Sequence, residues 1–110
     1  MDYQSFLSRK LTTLFPNESD RLKAVSILAN YGPKDYEREP ARVRLAILKL
    51  SGADPERVKT YINLAKIDYR DVLALAEYPR QLKLGVLLDG EEKNAAIEAD
   101  KMEYDDWLAE

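Results

Sequence analysis

This sequence predicts an all-α fold, a compact bundle of five to six helices, and three features point there. Leucine and alanine, 16 and 12 copies, outnumber valine, isoleucine and threonine, 5, 5 and 3 copies, by two to one, and only the second group is favoured on a pleated surface. Apolar residues recur at three- and four-residue spacing along most of the chain, the period that gives a helix one buried face. The gaps between these runs carry helix stop signals, in Phe15-Pro16, Tyr31-Gly32-Pro33, Ser51-Gly52 and Tyr78-Pro79. With 110 residues, 45% of them hydrophobic, the chain is of one domain's size and has enough apolar matter for a packed core.

The first helix is predicted from Tyr3 to Leu14, with Asp2 as N-cap and Tyr3, Leu7, Leu11 and Leu14 on one face. Asn17 then caps a second, with Asp20 at N3 and Leu22, Val25, Leu28 and Ala29 facing inward. Gly32 supplies a left-handed turn after it, and Pro33 forbids continuation. Past the charged loop Lys34 to Glu39, Pro40 opens a third helix that runs to about Leu50 on the stripe Val43, Ile47, Leu50. Asp54-Pro55 starts a fourth, lined by Val58, Tyr61, Ile62 and Ala65, because proline at the first helical position loses no bonded N–H. Asp68 caps a fifth through Val72, Leu73 and Ala76, ended by Tyr78-Pro79.

Arg80 to Leu88 reads either way, since its run Leu84 to Leu88 fits a buried extended segment or a helix equally well. Asp89 and Glu92 form a capping-box pattern for a last helix to about Leu108, with Ile97, Tyr104 and Leu108 on its inner stripe and Trp107 at the margin. Short connections favour antiparallel neighbours, and two consecutive helical hairpins plus a C-terminal helix is one arrangement they allow. The segment RLKAVSILAN from Arg21 echoes RVKTYINLAK from Arg57, but two such units are fewer than a solenoid needs.

Charge divides the domain. Residues 1–88 form a mildly basic body of net +4, and residues 89–110 an acidic C-terminal helix of net −7. That helix either docks on the body or acts as a detachable arm.

Cysteine and histidine are both absent, so disulfides, thiolate nucleophiles, the common zinc sites, haem ligation and His-dependent triads lack their side chains. No glycine belongs to a dinucleotide or P-loop fingerprint. The carboxylates Asp100, Glu103, Asp105 and Asp106 do not follow a calcium-loop spacing. No catalytic residue, cofactor or metal is expected, and the chain reads as a non-enzyme. MDYQSFLSRK has no apolar core of a signal peptide, and no window approaches the ~20 apolar residues of a membrane span, so the expected setting is cytoplasmic.

Two kinds of partner remain. Lys34, Arg38, Arg42 and Lys49, on and before the third helix, form a candidate basic ridge for weak nucleic-acid binding. A helix-turn-helix over Leu45 to Leu64 would place Ser51-Gly52-Ala53 at its turn. Against it, a bulky Leu48 stands where a small residue is wanted, Asp54 and Glu56 open the would-be recognition helix, and the net charge is −3. The second kind is another protein, for which Trp107 and Tyr104 on the acidic helix are candidate aromatic anchors.

The stretch EREPARVRLAILKLSGADPERVKTYINLAKIDYRDVLALAEYPRQ, Glu37 to Gln81, followed by Tyr104-Asp105-Asp106-Trp107-Leu108, resembles a family of small bacterial proteins of unknown function. The resemblance covers about two thirds of the chain and implies a bacterial cytoplasmic setting without assigning catalytic residues. In such a family the stretch from Ile67 to Arg80 draws attention first. Its polar face, Asp68, Arg70, Asp71, Glu77 and Arg80 beside Tyr69 and Tyr78, holds more hydrogen-bonding capacity than a connection between helices requires. The leading expectation is a small, non-catalytic protein-interaction module that uses this corner or the Trp107-bearing helix.

Overall fold

A computed structural model of the chain describes residues 2–84 and 90–110. Among them stand six helices and no strand: α1 (Tyr3–Leu14), α2 (Glu18–Leu28), α3 (Pro40–Ser51), α4 (Pro55–Glu77), α5 (Pro79–Leu84) and α6 (Gly90–Ala109). The ambiguous stretch after Tyr78 is helical as far as Leu84. The apolar run beyond it and the Asp89 cap lie outside the described residues.

Local chemistry sets most of the boundaries. The Asp2 carboxylate accepts the Ser5 N–H at 3.2 Å, the Asn17 side chain accepts that of Asp20 at 3.2 Å, and Asp54 accepts that of Glu56 at 3.0 Å. Each satisfies a donor that a helix start leaves without an internal partner. Gly52, at φ 60°, ends α3 in the left-handed conformation that carries no Cβ penalty. The fourth and fifth predicted helices are joined in one element, α4, but the chain breaks at Asp68, whose backbone leaves helical geometry at φ −155°, ψ 103°. The Asp68 carboxylate accepts the Arg70 N–H at 3.0 Å, so it starts the second half as a cap inside the element.

The α3–α4 hairpin is the centre of the bundle, with α1 packed on α3, α2 on α4, and little contact between α1 and α2 themselves. Because α3 is covered from several sides, Val43, Leu45, Ala46, Ile47 and Leu48 are all fully buried, a wider face than the expected stripe, and Leu50 is only partly so. Phe15, Leu28, Tyr31, Val58, Ile62 and Val72 complete the interior.

Two expected faces are corrected. On α2 the inward residues are Ala24 and Leu28, whereas Leu22 and Val25 stand 60% and 44% exposed and Ala29 is exposed beyond the helix end. On α6 the buried line is Ala96, Asp100, Tyr104 and Leu108, and Ile97 lies at the surface. The molecule measures 46 × 30 × 24 Å. Among the described residues no helix is long and apolar enough to cross a membrane.

Candidate functional site

The break in α4 creates the most distinctive surface. There α4 is lined up against the loop that joins α2 to α3, and between them lies a cleft of about 300 Å³ bordered by Tyr31, Tyr36, Glu37, Ile67, Asp68, Tyr69 and Arg70, with Ala65 and Lys66 completing it. The loop is held from within. Tyr31, 1% exposed, donates its hydroxyl to the Arg38 carbonyl at 2.8 Å. Glu37, 6% exposed, accepts the Gly32 and Lys34 N–H groups on Oε1 at 3.3 and 3.0 Å. Arg44 of α3 donates to the Leu28 and Tyr31 carbonyls, fastening the end of α2. Burial, with Glu37, Tyr69 and Glu39 adding negative charge nearby, pushes the Tyr31 phenol up to about 12.

On the α4 side, Asp68 holds Arg70 by its backbone N–H and by two guanidinium contacts at 3.0 and 3.2 Å. These bonds, side-chain first, keep the Asp68 carboxyl below its ordinary value. The lining is mixed: beside Glu37, Lys66, Asp68 and Arg70 stand Ile67, 83% exposed, and Tyr36, 74% exposed. Ile67 and Tyr36 thus both line the cleft while remaining mostly exposed.

The eight residues expected to meet a partner are not gathered on one surface. Asp68, Tyr69 and Arg70 line the cleft, and Asp71 is exposed beyond it. Tyr78 and Tyr104 border a second hollow of about 330 Å³ with Tyr3, Glu77 and Ile97. Arg80 and Trp107 border a third. Tyr104 is buried, and Trp107 packs 5.7 Å from its ring with the Lys10 ammonium 4.4 Å from the indole centroid, so both aromatics are spent on docking α6. Sequence reasoning missed Tyr31, Tyr36 and Glu37 as site residues and reached Ile67 only as the start of the stretch to Arg80. Their signal is faint, one aromatic in a charged loop and one isoleucine just before a cap.

Cations from three helices close on α6. Arg9 donates to the Leu108 carbonyl, and the buried Lys10 ammonium to the Glu110 main-chain oxygen at 3.4 Å, both at the negative end of the helix dipole. Lys49 donates to the Ala76 carbonyl at 2.6 Å and to Glu103 at 2.7 Å. Arg80 reaches Asp100 at 3.1 Å and Glu103 at 3.5 Å. The acidic helix is docked on the body, with Asp100 and Glu103 paired to it.

The four residues of the basic ridge share a similar fate in part. Arg42 is held bidentately by Glu77 at 2.6 and 2.8 Å and by Glu39 at 3.1 Å, and Lys49 is the α6 clamp just described. Lys34 and Arg38 remain exposed on the loop. The trio Arg38, Arg42, Lys49 is therefore interrupted by Glu39, Glu77 and Glu103 rather than forming an open basic stripe. Among the described residues no group of three or more metal-ligating side chains is placed to hold an ion. Compared with known proteins, the chain matches no family model, no curated protein and no solved structure.

Proposed function

We propose that the protein is a small, non-catalytic interaction module that binds another protein through the cleft at the α4 break. The observation that carries this reading is the pairing of Ile67 and Tyr36, both mostly exposed, over a cleft whose walls are fixed by internal hydrogen bonds. A preformed surface loses little entropy on binding, and a large aromatic at its rim supplies contact area. The Trp107-bearing helix is the weaker alternative, because its aromatic residues are already packed inward. The bacterial cytoplasmic setting belongs to the same proposal and rests on the resemblance of Glu37 to Gln81.

The test is affinity capture from a bacterial lysate, with and without nuclease, using the natural chain and the variant Ile67→Asp. Because Ile67 is at the surface, the variant keeps its fold. The expected result is a protein partner that survives nuclease and is lost with Ile67→Asp. Recovery of nuclease-sensitive material alone, or a partner retained by the variant, overturns the reading.

A further inference from the structure

We propose that this cleft takes an arginine side chain of the partner, with its guanidinium on the free oxygen of Glu37 and its plane against Tyr36 and Tyr69. The inference rests on the reading of the cleft as a protein-binding surface and names the chemistry it recognises.

Glu37 carries it. The residue is 6% exposed and lines the cleft. Its Oε1 already accepts two backbone N–H groups, whereas Oε2 has no donor among the described residues. Nor is Oε2 sealed in: the Tyr104 hydroxyl is the only fully enclosed side-chain polar atom without a partner among the described residues. A carboxylate at the cleft lining, held by one oxygen and with the other lacking a protein donor, retains acceptor capacity, and leaving that unmatched in a complex is costly.

The surrounding groups specify the donor. Asp68 and Arg70 are paired through two guanidinium contacts, so neither competes strongly for an incoming ion. Lys66 and Arg70 are the cations at the lining; Arg70 is paired with Asp68, and both side chains are exposed, where water screens them. Glu37, by contrast, acts from a largely desolvated position in which charge interactions are stronger. Tyr36 and Tyr69 are the aromatic side chains available at the lining, Tyr31 being buried. A planar, weakly hydrated guanidinium stacks on aromatic faces while presenting a fork of donors to a carboxylate, which an ammonium does less well.

The probes are N-acetyl-arginine methylamide, its neutral isostere N-acetyl-citrulline methylamide, and the lysine counterpart, titrated into the full chain and followed by amide NMR shifts. The arginine probe is expected to move the Gly32 and Lys34 amides saturably, the citrulline probe to leave them in place, and the lysine probe to bind more weakly. Glu37→Gln keeps an amide oxygen for the two loop N–H groups and loses the charge, so it should weaken arginine binding by about tenfold. Tyr36→Ala, at a surface position, should weaken it by about threefold with the fold intact. Equal shifts with citrulline, tighter binding of lysine, or unchanged affinity in either variant overturns the proposal. If the arginine probe fails while partner capture still depends on Ile67, the cation inference falls and the interaction surface stands. If capture is indifferent to Ile67, the surface itself is lost.

Discussion

Asp100 shows how much can turn on one side chain. It sits on the inner face of α6, 1% exposed, and its two oxygens accept the backbone N–H groups of Arg80 and Gln81 and both of their side chains, each at 3.1 Å. Tyr78, the residue preceding Pro79 of α5, has no side-chain acceptor suited to capping, so a carboxylate from another helix satisfies those donors. Burial pushes the Asp100 carboxyl up, and the hydrogen bonds outweigh it, leaving the group below its ordinary value of 3.8. A lowered folded value means stability that is present above the unfolded value and lost as pH falls through the folded one. Asp100→Asn should therefore cost about 2–4 kcal/mol at pH 7, since an amide cannot accept from four donors and adds a donor of its own. Urea unfolding at pH 7 and pH 3 checks it: the gap between natural chain and variant should narrow in acid, and a gap independent of pH would remove the charge from the explanation. The caps at Asp2, Asn17, Asp54 and Asp68 were legible in the sequence because donor and acceptor lie two or three residues apart. The Asp100 cap was not, because its donors are 19 and 20 residues away and a charged residue on a buried face looks like a surface one.

At the scale of the element, the connections between helices are where backbone conformation limits the sequence. Gly32 adopts φ +114°, and a Cβ there would lie 2.7 Å from the Pro40 Cβ and 3.0 Å from the Arg44 guanidinium that fastens α2 to α3. Gly52, at φ +60°, faces open space. Ala53, the next residue, also has a positive φ of 66°, a conformation that costs an L residue about 1–2 kcal/mol. The three positions give a ranked expectation under urea. Gly32→Ala loses the most, about 2–3 kcal/mol from strain and overpacking together. Gly52→Ala loses about 1 kcal/mol from strain alone. Ala53→Gly gains about 0.5–1 kcal/mol. If Gly32→Ala and Gly52→Ala lose the same amount, the close approach of Pro40 is not what restricts Gly32. Helix existence was readable from such punctuation, but facing was readable only where apolar residues concentrate. On α2, Leu22, Ala24, Val25, Ile27 and Leu28 spread around the axis, so no stripe selects a side, and the small Ala24 lets α2 approach α4 while Leu22 and Val25 stay outside.

For the whole molecule, composition disclosed an acidic segment beside a basic body without showing how they meet. The cations on α6 come from α1, α3 and α5, far apart in the chain, and the cleft likewise joins a loop near Glu37 to a break some thirty residues later, so no local window contains either. The docked geometry predicts that α6 is integral to the stability of the domain. Tyr104 and Leu108 are 7% and 3% exposed and belong to the central core, a burial that contributes about 2 kcal/mol for each. The Asp100 cap and the Arg9, Lys10 and Lys49 contacts add to this, and the sum is a large share of the roughly 5–15 kcal/mol that stabilises a domain. Removing residues 90–110 should therefore abolish cooperative unfolding of the remainder, with the core side of α3 and α4 left open to solvent and dye binding. Calorimetry and a hydrophobic dye measure this directly. A truncated chain that still melts cooperatively near the full-length midpoint would establish α6 as a detachable arm after all.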